Sequence, residues 1–470
     1  ERAADLDDLR ARAIAHLLGA PMPGVPDPGH PYILIADDLS PADTAALNPD
    51  LVLALVTARG GPTSHTAILA RALALPAVVG CAGILAVPDG TLLRVDGDQG
   101  LVDTGVTDTA DTGSAPASAA RRRPARDVEE YSGPGQTADG HLVPLLLNAG
   151  SARDAHTPAA RHAEGVGLLR TELLFLGRHQ APTLEEQRDA YSQVLQAFPG
   201  RKVVVRTLDA GADKPLPFLG LGEEPNPALG IRGLRTALVR PDVLDLQLDA
   251  LALAAAASDA DVWCMAPMVA TPGEAAAFRE RARAHGLHVI GAMVEIPAAA
   301  IRARRLLDEV DFLSIGTNDL GQYTLAADRQ CGQLAELLDP WQPALLDLIA
   351  ACANAGREAG KPVGVCGEAA ADPLLACVLT GLGVTSLSMS AAAIAPVGAR
   401  LARHTLADCE RFARAALDAP DARTARADVA RLAADRDPDP PESESESEPG
   451  AGAGAEPAPR PGAPDTFAAV

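Results

Sequence analysis

A chain of 470 residues with 47% apolar but only 3% aromatic side chains must build its cores from Leu, Val, Ile and Ala, as helix-rich α/β proteins do. Its formal charge of −22, with no basic stripe to offset it, excludes nucleic acid as a partner, and no run nears the ~18 apolar residues of a membrane span, so no membrane insertion is expected. Seven scattered cysteines with no CxxC pair exclude a disulfide framework and a zinc site and point to a reducing, cytoplasmic setting.

The chain begins at Glu1, inside an amphipathic helical pattern (Leu6, Leu9, Ile14, Leu17, Leu18) that ends near Gly19. Without an initial Met it reads as a fragment whose natural start is missing. A Pro/Gly-rich stretch, APMPGVPDPGHP, leads into a compact α/β unit over residues 29–104. Its strands are expected at 32–36, 51–57, 77–80, 91–96 and 100–104, and its helices near 41–47 and 64–74. Residues 105–137, rich in Thr, Ala, Ser, Gly and Pro, have the composition of a linker.

From 138 to 432 short apolar runs alternate with helical stretches. The runs cover 141–149, 165–173, 202–210, 262–269, 288–297, 311–319, 362–369 and 386–390. That rhythm predicts a (β/α)8 barrel of the TIM type, its parallel strands buried on both faces. The long interval after the third run puts LGIRGLR (229–235) on an elaborated loop. Residues 433–470 form an acidic low-complexity tail that cannot bury a core and is expected to be disordered.

Chemistry is concentrated in a few motifs. In GGPTSHTAILAR (60–71), two glycines and a proline make a turn, Thr63 or Ser64 can cap a helix, and His65 lies in its first turn. Free N–H groups and the positive helix end there favour a neutral imidazole and welcome a phosphate placed on it. A histidine beside a cap is ordinarily just a surface residue, and the wider pattern is what sets this one apart. GGPTSHTAILARALALPAVVG closely resembles the phosphohistidine segment of the phosphoenolpyruvate-utilising enzymes: Enzyme I of the sugar phosphotransferase system, phosphoenolpyruvate synthase and pyruvate phosphate dikinase. The resemblance implies that His65 is phosphorylated on Nε2 and that 29–104 is a swivelling phosphohistidine domain.

A second set of motifs carries the same resemblance through the barrel, in the order found in Enzyme I: GVGLLRTELLF, VVVRTLDAGADKPLPF, NPALGIRGLR, MVEIPAAA, SIGTNDLGQYTLAADR, GVCGEAAAD and SLSMS. All fall at or just past the C-terminal ends of the expected strands, where barrel active sites are built. Phosphoenolpyruvate, the substrate this implies, is a trianion whose transfer needs cations and a metal. Arg170, Arg206 and Arg232 come from different strand ends or loops and are placed to converge on its phosphate, and Arg329 with Asn318 on its carboxylate, since the planar guanidinium binds such groups bidentately. Glu295 and Asp319, carboxylates on neighbouring strand ends, suit Mg²⁺ completed by substrate and water, or else a pair of salt bridges to the arginines. The resemblance makes both of them metal ligands and puts Asp319 in the substrate site as well.

Cys366, at the end of the seventh strand, is implied to be the general acid that protonates the enolate to give pyruvate, whereas Cys264 and Cys352 read as apolar filler. Lys214 is a further phosphate ligand by the same resemblance, and Thr44 aligns with a threonine that hydrogen-bonds the histidine. Histidine domain before barrel and the Ser-Met-Ser ending favour Enzyme I over the dikinases. Residues 1–28 then read as the remnant of the domain that docks the histidine-containing carrier protein (HPr), largely absent here, and dimerisation through the barrel is implied. Alternatives are a synthase- or dikinase-like enzyme, a silent phosphoenolpyruvate sensor, and the phosphoryl-donor segment of a dihydroxyacetone kinase fusion. Pro62, Ala212 and Gly321 depart from the usual Enzyme I residues, and linker 105–137 replaces a long helix.

Overall fold

The computed structural model describes Arg10, Ile14, residues 25–26, 28–39, 47–48, 51–60, 66–67, Ala70, 75–97, 100–104, 131–211, 216–329 and 331–434. His65, Thr44 and Lys214 lie outside the described residues, as do most of the expected N-terminal helix, most of the linker and the acidic tail.

All five expected strands of the first unit are present. β1 (Tyr32–Ala36), β2 (Val52–Thr57) and β3 (Ala77–Val78) form a parallel sheet in that order, and β4 (Arg94–Asp96) pairs with β5 (Leu101–Asp103) as an antiparallel hairpin. β2 reads as an unbroken apolar run because both its faces are covered. Leu55 packs with Leu34 and Ala70 on one side, while Val56 packs with Val78 and Ile84 on the other.

The eight later runs form a closed parallel barrel: β6 (Leu145–Ala149), β7 (Val166–Arg170), β8 (Lys202–Arg206), β9 (Asp261–Ala266), β10 (Val289–Val294), β11 (Phe312–Ile315), β12 (Val363–Val365) and β13 (Ser386–Met389). Each strand pairs with the next, and β13 closes onto β6. Alternation sorts the side chains. Leu168, Val204, Met265, Met293 and Phe312 fill the barrel interior, while Leu169, Val205, Ala266, Val294 and Ile315 face the helices. Cys264 and Cys352 are buried in the outer core, in keeping with the filler reading, and burial pushes both thiols up to about 12.

The barrel unit begins earlier than its composition indicates. Residues 131–137, assigned by composition to the linker, pack against the barrel. The Gly135 N–H donates to Glu164 at 2.9 Å, Thr137 is buried, and the Tyr131 ring lies where a Cβ on Gly398 would stand. Between β8 and the helix Pro241–Ala256 the chain makes the anticipated long excursion, and Arg232 returns to bridge Gly211.

Candidate active site

Ions gather at the C-terminal mouth of the barrel. Arg206 ends β8, and its guanidinium reaches Glu172 at 3.0 Å, Asp209 at 3.4 Å and Glu295 at 3.6 Å. Arg232, fully buried on the excursion, grips two carboxylates at once: Asp209 at 3.2 Å on both oxygens, and Asp319 at 3.1 and 2.9 Å. Asp319 sits in the first turn of the helix Thr317–Leu325, which follows β11, where the positive helix end favours a negative charge. Arg329 approaches the same carboxylate at 3.6 Å, while Asn318 accepts a hydrogen bond from the Glu368 N–H at 3.1 Å. Arg170 ends β7 with its side chain exposed to the mouth.

Asp209, Glu295 and Asp319 each offer an oxygen, and these oxygens lie within 4.8 Å of one another, all buried. Burial, then repulsion from Asp209 and Asp319, pushes the Glu295 carboxyl up to about 8 against the pull of Arg206. Burial also acts to raise Asp319, but Arg232 and Arg329 outweigh it and hold that group below the usual range. The arginines thus leave one carboxylate undercompensated. A divalent cation would relieve this, and an all-oxygen donor set suits a hard ion such as Mg²⁺. The residues present fit the metal, and salt bridges to the arginines exist beside that fit.

Glu295 is aimed by an unusual backbone. Met268 adopts a left-handed conformation (φ 56°), costly for a non-glycine residue, and its N–H donates to Glu295 at 2.8 Å. A buried network holds up the end of β8. Gln247 accepts from the Leu208 N–H at 2.9 Å and donates to Thr171 and Tyr191, and Thr171 donates to the Arg206 carbonyl at 3.0 Å. Cys366 follows β12 with its thiol directed at the Ile315 carbonyl, 3.6 Å away, and its own carbonyl accepts from Asn148 at 3.0 Å. Burial raises its pKa, against the opposing pull of a Ser314 hydrogen bond and the Arg206 charge.

Eight sequence-predicted residues, Arg170, Arg206, Arg232, Glu295, Asn318, Asp319, Arg329 and Cys366, therefore stand at one barrel face, on strand ends, loops and the first turn of the helix Thr317–Leu325. The sequence reading missed Asp209, Glu172, Met268 and Gln247. Asp209 carried a usable signal, since it lies three residues past Arg206 within RTLDA, on the strand end already singled out. In the first unit, Thr66, next to His65, is helical and buried, and its hydroxyl donates to Asp38 in the turn after β1 at 3.2 Å.

Comparison with known proteins shows the family. Residues 28–100 match the PEP-utilising enzyme mobile domain, and residues 125–406 match the PEP-utilising enzyme PEP-binding domain, PEP being phosphoenolpyruvate. The chain is 59% identical over 427 residues to the phosphoenolpyruvate-protein phosphotransferase of Streptomyces coelicolor, covering 90% of this chain and 76% of that one. It is 43% identical over 411 residues to the protein of the same name from Staphylococcus carnosus, covering 84% and 71%. A multiphosphoryl transfer protein of Xanthomonas campestris pv. campestris is 43% identical over 441 residues, but this chain spans only 52% of its length. With a matching domain over more than half its residues and such identity along most of a relative, this chain belongs to the family of PEP-utilising enzymes.

Proposed function

We propose that this chain takes the phosphoryl group of PEP onto its own His65, releasing pyruvate, and passes it onward to the carrier protein HPr in the sugar phosphotransferase system. The observation that carries the reading is the barrel mouth, where cations and buried carboxylates are arranged for a metal-bound trianion. Relatives named phosphoenolpyruvate-protein phosphotransferase support it.

In this mechanism Arg170, Arg206 and Arg232 hold the phosphate, and Arg329 with Asn318 holds the carboxylate. Glu295 and Asp319, with Asp209 beside them, would hold Mg²⁺, which when bound supplies positive charge to the phosphoryl and enolate oxygens. His65 Nε2 attacks phosphorus as the P–O bond to the enol oxygen breaks and leaves its electron pair on that oxygen. The enolate methylene then takes the proton of the Cys366 thiol, giving pyruvate and a thiolate. Removing one arginine should cost on the order of 10³-fold in rate, by analogy with arginine fingers. A cytoplasmic location and a dimer formed through the barrel belong to the same proposal. Among the described residues, no helix is long and apolar enough to cross a membrane.

The test is labelling from PEP with Mg²⁺, followed by mapping of the labelled residue. His65→Ala should abolish acid-labile label, and chelating the metal should abolish it in the parent chain. Undiminished labelling of His65→Ala would overturn the mechanism.

A further inference from the structure

The interior of an eight-stranded barrel is ordinarily filled by layers of branched side chains. Here the layers below the mouth thin out. Gly167, Gly364, Ser314, Ser386 and Ser388 line a void of about 20 Å³, room for about one water with hydroxyls to hold it. Lys202 lines the same void from the N-terminal end of β8, its ammonium 4.7 Å from the centre of the Trp263 ring.

Register ties this void to Cys366. In the β11–β12 pair Ser314 lies opposite Gly364, and Cys366 is two residues further along the same inward face. Because Gly364 has no side chain, nothing on β12 separates the Ser314 hydroxyl from the thiol above it or the void beneath. Ser386 leans across the same gap, so that a Cβ on Gly364 would stand 2.6 Å from its oxygen. The thiol itself is buried. Cys366 is 2% exposed, and the groups whose charges reach it are Arg206, Glu295 and Arg170, all at the substrate end.

We propose that the proton Cys366 delivers to the substrate is replaced from beneath, through the Ser314 hydroxyl and the void at the N-terminal end of the barrel, while substrate still covers the mouth. This rests on the reading of Cys366 as the proton donor. Once the thiol has lost its proton, the sulfur takes the Oγ proton of Ser314. Ser314 takes one from water in the void, and bulk solvent restores that water. Each turnover consumes one solvent proton, and no other reactant is needed. Ser314 is also the hydroxyl that favours the thiolate.

The prediction is read from isotopes as the chain cycles between PEP and pyruvate. Two rates are compared in D₂O with Mg²⁺: exchange of ¹⁴C between pyruvate and PEP, and incorporation of deuterium at the methyl carbon. If the thiol reloads from beneath, Ser314→Ala should let the abstracted hydrogen return to the carbon it left. Deuterium gained per carbon exchange should then fall on the order of tenfold, a fraction of what a full general acid contributes. Ser314→Thr, which keeps the hydroxyl, should restore the ratio. Ser386→Val, which fills the void without touching Cys366, should lower it as Ser314→Ala does. An unchanged ratio in both Ser314→Ala and Ser386→Val, with Cys366→Ala slowing both rates, would overturn the relay and leave the role of Cys366 standing. If Cys366→Ala changes neither rate, the reading of Cys366 falls and the relay with it.

Discussion

Three carboxylates packed within 4.8 Å of one another pose a charge problem that Arg206 and Arg232 solve only in part. Glu295, held up at about 8, is mostly protonated at pH 7. A cation must displace that proton, so divalent-metal binding should release up to one proton at pH 7, with affinity rising with pH and levelling off above about 8. Calorimetry in buffers of different ionisation enthalpy measures this; heats independent of the buffer would show that Glu295 is already ionised. The same shift means that the metal-free folded chain binds more protons than the unfolded one between the usual carboxyl range and about pH 8. Its stability is present below that window and falls as pH rises through it. Asp209 is the shared anchor of both arginines. Asp209→Ala leaves buried Arg232 with a single carboxylate and should cost about 3–5 kcal/mol, as breaking buried pairs does. Denaturant unfolding reads the loss, and a change under 1 kcal/mol would show that Asp319 alone suffices. The types of these residues were legible at the strand ends. Their pairing was not, because Asp209 and Arg232 are brought together by a 23-residue excursion that no local periodicity describes.

Among the elements, β8 and its buried network govern how firmly Arg206 is aimed. Gln247→Leu would keep the volume of the side chain but leave the Leu208 N–H and the Tyr191 hydroxyl without that partner, a penalty of roughly 1–3 kcal/mol. The midpoint of denaturant unfolding should fall accordingly, and PEP-dependent labelling should weaken. A second close contact joins the Cys366 segment to the helix that carries Asp319. A Cβ on Gly367 would come within 1.9 Å of the Thr317 hydroxyl and 2.6 Å of its backbone nitrogen. Gly367→Ala should therefore retain the fold by circular dichroism yet lose labelling steeply, and full activity would show that the two segments can part without harm. Existence and order of the strands were readable because parallel strands covered on both faces leave apolar runs. Their ends were not. The runs ending in TLDA and GTND continue past β8 and β11 because most of the following residues are also buried, whereas after β7 only Thr171 is buried and Leu173 is exposed.

At the scale of the molecule, most buried residues of 143–433 outside the barrel interior form one contiguous core, with a smaller cluster of Phe175, Leu208, Leu216, Leu219 and Val243 beside it, while those of residues 25–102 form clusters of their own. A fragment of residues 131–434 should therefore unfold in a single cooperative transition and bind PEP with Mg²⁺, while taking no label for want of His65. Scanning calorimetry and a binding titration would check this, and a fragment lacking a cooperative transition would show that the preceding residues are needed for the core. Beginning the fragment at 138 should cost stability, since Thr137 and the 131–136 segment are packed on the barrel. The sequence by itself determined the two α/β units, the eight barrel strands and the cationic, acidic and thiol groups at the strand ends. Strand burial leaves a periodic trace in composition, and the site motifs are local words that survive in a linear reading. Only the tertiary structure decided that Asp209 completes the carboxylate cluster, that Met268 turns left-handed to hold Glu295, and that glycine and serine open the barrel beneath Cys366. These arise where side chains from distant strands meet across the closed barrel, and closure fixes their register through strand pairings such as Leu387 with Leu145, reinforced by the Ser388 hydroxyl donating to Asn148 across 240 residues of sequence.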